Sequence, residues 1–103
     1  MLFQISKSEL SKSLPEVLRK CGYFMITSYH SGETSYVKRL SRLQHYPRFH
    51  LYVHEKSDTY QFNLHLDQKK PSYKGAVAHS AEYDEPKVLE EKERIINTLI
   101  NIK

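Results

Sequence analysis

The chain has a single cysteine, Cys21, so it contains no intramolecular disulfide and fits a reducing compartment. It has three glycines and no glycine-rich loop to cradle a phosphate, so an enzyme built on a nucleotide cofactor is not expected. There is no HExxH, HxH or CxxC spacing, and Ser31-Gly32 and Ser80-Ala81 do not form a nucleophile elbow. No apolar run is long enough to span a bilayer, and MLFQISKSEL lacks the apolar core of a signal peptide. The expectation is a cytoplasmic protein with no membrane partner.

What is present fits an ordinary folded chain. With 103 residues, 39% hydrophobic and 27% charged, residues 1–103 read as one domain large enough to bury a core without staples. The formal charge of +4 is unevenly placed. Most Lys and Arg fall between positions 7 and 74, whereas 82–93 holds Glu82, Asp84, Glu85, Glu90, Glu91 and Glu93. A basic body of this kind can attract an anionic partner, nucleic acid included.

The stretch Arg48–Lys70 organises the rest. Side chains alternate along a strand, so Phe49, Leu51 and Val53 oppose Arg48, His50, Tyr52 and His54. The same alternation sets Tyr60, Phe62, Leu64 and Leu66 against Gln61, Asn63, His65 and Asp67. Glu55–Asp58 supplies the turn. A two-residue turn puts His50 opposite His65 and Arg48 opposite Asp67. A four-residue turn puts His50 opposite Asn63 and Arg48 opposite His65. Either register keeps His50, His65 and Asp67 within reach of one another.

Upstream, Ser6-Lys7-Ser8-Glu9 and Ser13-Leu14-Pro15-Glu16 both have capping-box spacing. Proline belongs in a first helical turn, so the helix is expected from Ser13 to Lys20 or Cys21, with Ser6–Lys12 as a turn or short helix before it. Leu10, Leu14, Val17, Leu18 and Cys21 form its apolar stripe, which makes Cys21 a buried thiol, and Gly22 ends it. Tyr23–His30 and Glu33–Leu43 read as strands joined at Ser31-Gly32. Their buried face is ambiguous: Phe24, Ile26 and Val37 argue for one side, Met25, Tyr29, Tyr36 and Leu40 for the other. Lys38, Arg39 and Arg42 make the far end of the second strand basic. Gln68–Pro86 reads as a loop, with Gly75–His79 as an optional fifth strand, and Val88, Leu89, Lys92, Ile95, Ile96, Leu99 and Ile100 mark a C-terminal helix. The fold class is α+β, a four- to five-stranded antiparallel sheet with an N-terminal and a C-terminal helix covering one face. Double-stranded-RNA-binding domains and some small RNA-cleaving toxins share this order of elements. The resemblance is one of layout and transfers no residues.

Two uses of the polar hairpin face follow. As a nucleic-acid-binding surface, Arg48, His50, Tyr52, His65, Lys69, Lys70, Tyr73 and Lys74 supply cations for phosphates and rings for bases. As a metal-dependent hydrolase or nuclease, His50, His65, Asp67 and His79 supply imidazole and carboxylate ligands for a divalent ion. Asp67-Gln68-Lys69 has the carboxylate-x-lysine form of metal-dependent nucleases, but the nearest second carboxylate, Asp58, lies in the turn at the far end of the hairpin. No other cofactor is expected. The plainer alternatives are a hydrogen-bonded polar face without chemistry, or a face covered by a second copy in a homodimer or adaptor.

Overall fold

The computed structural model describes residues 1–27, 32, 34–68 and 85–102. The chain begins with strand β1 (Leu2–Ser6) and a single 3-10 turn at Lys7–Glu9, and continues into helix α1 (Leu14–Lys20). Strands β2 (Phe24–Thr27), β3 (Thr34–Arg39), β4 (Arg48–Glu55) and β5 (Thr59–Asp67) follow, and helix α2 (Glu85–Asn101) closes the order. The strands form one antiparallel sheet in the order β1-β5-β4-β3-β2.

Among the described residues the fifth strand comes from the start of the chain. Gly75–His79 lies outside the described residues, and the added strand is β1, which pairs along β5 with Phe3 opposite Phe62. Their rings stack with centroids 4.9 Å apart. Phe3 and Ile5 are buried and their neighbours exposed, so β1 carries the period-two pattern of a half-buried strand within five residues. The capping-box spacing that begins at Ser6 masks that pattern in the sequence.

Helix α1 starts where proline placement requires, with Pro15 in its first turn. Ser13 makes no side-chain cap bond, so the expected capping box is not formed there. At the other end the Gly22 N–H donates to Arg19 O and the Tyr23 N–H to Leu18 O, at 2.9 Å each. Gly22 has φ +95°, the left-handed conformation this C-terminal motif needs.

The hairpin register is the one a two-residue turn produces: Arg48 opposite Asp67, His50 opposite His65 and Leu51 opposite Leu64. The Lys56 N–H donates to Thr59 O at 2.9 Å and closes the turn around Ser57 and Asp58. Phe49, Leu51, Phe62, Leu64 and Leu66 are buried in one cluster with Leu14, Val17 and Leu18 of α1 and Val88, Ile95 and Leu99 of α2. Val53 and Ile96 pack at its margin, half-buried. The ambiguity in β2 and β3 resolves in favour of Tyr36, which joins the cluster, while Phe24 lies exposed on the other side of the sheet. Cys21 is buried as expected, and burial pushes its thiol pKa up.

A polar clasp sits beside this core. The Tyr23 hydroxyl donates to Glu91 Oε2 at 2.6 Å, and Arg94 donates to both Glu91 oxygens at 2.8 Å and to the Cys21 carbonyl at 2.8 Å. Burial alone would raise the Glu91 pKa, but the bonds from Arg94 and Tyr23 outweigh it and hold the carboxylate below its ordinary value. The apolar stripe of α2 is therefore interrupted by the buried Glu91, whose ion pair with the half-buried Arg94 ties the helix to the α1–β2 junction. No helix among the described residues is long and apolar enough to cross a membrane.

Candidate functional site

The register fixes what shares the polar side of the sheet. Ile26, Ser35, Tyr52, Asn63 and Leu2 form one cross-strand row, Phe24, Val37, His50 and His65 a second, and Arg39, Arg48 and Asp67 a third. Of the residues expected from the sequence, Arg48, His50, Tyr52, His65 and Asp67 come together here. Lys69, Lys70, Tyr73, Lys74 and His79 lie outside the described residues.

His50 is the hub. Its Nδ1 lies 3.0 Å from Asp67 Oδ2 and its Nε2 lies 2.7 Å from Ser35 Oγ. Arg48 Nε donates to the same Asp67 oxygen at 3.4 Å. Burial alone would raise the Asp67 pKa, but its bonds from His50 and Arg48 prevail and hold it below the ordinary carboxylate range. An ionised Asp67 accepts from an Nδ1–H, and in the tautomer that carries only that proton the bare Nε2 accepts from the Ser35 hydroxyl. Ser35 and His50 are both buried, and no side-chain nitrogen or oxygen buried among the described residues lacks a partner.

Tyr52 lies over this relay. Its ring stacks on the His50 ring with centroids 4.3 Å apart and an interplanar angle of 23°, and it meets the His65 ring edge-on at 5.7 Å. Tyr52 nevertheless keeps 43% of its surface exposed. Burial first, then the positive N-terminal ammonium, lower the His65 pKa. That ammonium donates to Asn63 Oδ1 at 3.0 Å and to Leu64 O at 2.9 Å.

The order hydroxyl, imidazole, carboxylate at Ser35, His50 and Asp67 is that of an activated nucleophile. Ser35 is only 5% exposed, however, and β3 is paired on both sides. Its N–H groups are committed to the ladders, so the backbone of β3 offers no oxyanion donors to a carbonyl reacting at Ser35. Among the described residues no three His, Cys, Asp or Glu side chains group as a metal-binding set. Ligation by His50 would have to displace Asp67 or Ser35, since both of its ring nitrogens are engaged. The relay fixes the ring beneath Tyr52 more plainly than it performs a reaction.

The third row opens into a feature the sequence reading did not assemble. An open groove of ≈ 780 Å³ has the apolar Phe24, Ile26 and Val37 and the basic Arg39, Arg42, His45 and Arg48 in its lining. Arg48 links groove and relay, with its guanidinium 4.6 Å above the Tyr46 ring. The basic run Lys38–Arg42 is visible in the sequence. Its meeting with Phe24 depends on the pairing of β2 with β3, which no local pattern specifies. Compared with protein-family models, curated proteins and solved structures, the chain matches none.

Proposed function

We propose that the protein is a small binding domain that engages single-stranded nucleic acid through the sheet face carrying Arg48, Tyr52, His54, Gln61 and His65, its two helices covering the opposite face. The observation that carries this reading is Tyr52: a half-exposed ring held in one orientation by a stacked imidazole and an edge-on one. A ring fixed in that way stacks a base with little further loss of side-chain freedom. Around it, Gln61 and Asn63 offer hydrogen bonds to base edges, and Arg48 offers charge to a phosphate. Stacking requires an unpaired base, which selects single strands over duplex.

Anisotropy of a labelled single-stranded RNA or DNA at low salt tests the reading. Binding that weakens as salt rises, and that Tyr52→Ala reduces more for single strands than for duplex, supports it. No binding at about 100 µM protein, the weak end of ordinary non-specific affinity, defeats it and leaves a homodimer or adaptor role.

A second reading, a hydrolase holding a divalent ion on His50, His65, Asp67 and His79, would require His50 to give up its contact with Asp67 or Ser35 on binding the ion. It requires stoichiometric uptake of zinc or manganese that His65→Ala abolishes. Titration calorimetry showing no uptake removes it.

A further inference from the structure

The groove at the end of β3 and β4 combines three features that one ligand class satisfies together. It is an open groove of ≈ 780 Å³, wide enough for a nucleotide to lie in. Its lining includes Phe24, a phenyl ring left 62% exposed, with Ile26 and Val37. Its lining also includes Arg39 and Arg42, both exposed and both without an ion-pair partner among the described residues. Arg48, across the ladder from Arg39, is already tied to Asp67. Two free guanidinium groups next to an exposed ring call for an anion attached to a flat aromatic group.

We propose that this groove is a nucleotide subsite, in which a base stacks on Phe24 and its phosphate lies between Arg39 and Arg42. The choice of a nucleotide over other aromatic anions rests on the single-strand reading above, because Phe24 lies on the same side of the sheet as Tyr52. The two rings are two strands and one row apart. At about 4.8 Å between strands and about 3.4 Å per residue, that is a separation of about 12 Å. Bases stacked on each other lie only about 3.4 Å apart, so a strand reaching both rings must have its bases splayed. Phe24 and Tyr52 then hold separate, unstacked bases of one strand, with the arginines at the Phe24 end.

The test is a set of NMR titrations of the full chain with AMP, adenosine and inorganic phosphate, alongside anisotropy with a single-stranded oligonucleotide. Phe24, Arg39 and Arg42 are exposed, so their variants should remain folded, which circular dichroism checks. AMP should shift groove resonances and bind more tightly than adenosine or phosphate. Phe24→Ala should weaken AMP about tenfold, the scale of one base on one ring. Arg39→Ala combined with Arg42→Ala should make AMP no better than adenosine. If phosphate alone binds as well as AMP, the site reads only an anion and the proposal is overturned. If the oligonucleotide binds while AMP leaves the groove unchanged and Phe24→Ala is silent, the subsite fails and the single-strand reading stands. If AMP binds the groove and the oligonucleotide binds no better than AMP, the subsite stands and the single-strand reading fails.

Discussion

Ser35 on β3 and His50 on β4 meet through Oγ and Nε2 at 2.7 Å, and this contact occupies the ring nitrogen that Asp67 leaves free. The imidazole is thereby held at both ends beneath the Tyr52 ring. Ser35→Ala should leave a buried Nε2 without a partner and destabilise the fold by about 1–2 kcal/mol. Nitrogen NMR should show the His50 Nε2 resonance shifting from the wild type as its hydrogen bond is lost. An unchanged His50 spectrum would mean that the hydroxyl does not set the ring.

Asp67 contributes to acid stability with a defined sign. Its folded pKa is depressed, so its contribution is full above the unfolded carboxylate value of about 3.9 and is lost as pH falls through the lower folded value. Asp67→Asn should lower stability near neutral pH and flatten the acid limb. Urea melts between about pH 2 and 7 measure this, and parallel wild-type and variant curves across that range would contradict it.

The buried clasp gives an ordered pair of effects. Tyr23→Phe removes one hydrogen bond but leaves Glu91 held by Arg94, and should cost about 1 kcal/mol. Arg94→Met strands the Glu91 carboxylate and should cost about 3 kcal/mol, the larger loss of the two. Denaturant melts that reversed this order would show that Arg94 is not the principal partner of Glu91.

At the outer strand, Phe3→Ala should cost about 3 kcal/mol through lost burial and a cavity beside Phe62. Phe62→Ala should fall in the range of about 2–5 kcal/mol, and the double variant should lose less than the sum because the rings share one contact. Strict additivity in denaturant melts would place the two rings out of contact in solution.

On the sheet face, Tyr52→Phe should retain single-strand binding, since the ring does the stacking, whereas Tyr52→Ala should weaken it about tenfold. Equal losses in the two variants, measured by anisotropy, would assign the effect to the hydroxyl.

The sequence by itself determined the elements governed by short-range rules. Alternation along Arg48–His54 and Tyr60–Asp67 separated the buried side from the polar one, because a strand cannot turn one side chain over without turning all of them. Pro15 and Gly22 marked the ends of α1 through constraints carried within one or two residues. Tertiary structure decided the rest. Whether Tyr36 or Val37 joined the core cluster depended on which residues of β4 lay opposite them, and β1 became a strand because β5 offered it an edge. The Glu91–Arg94–Tyr23 clasp joins positions 68 residues apart. Ser35 reached His50, and Phe24 came to line the same groove as Arg39, only through strand pairing, since contacts between distant segments are set by long-range packing and leave no periodic mark in the chain.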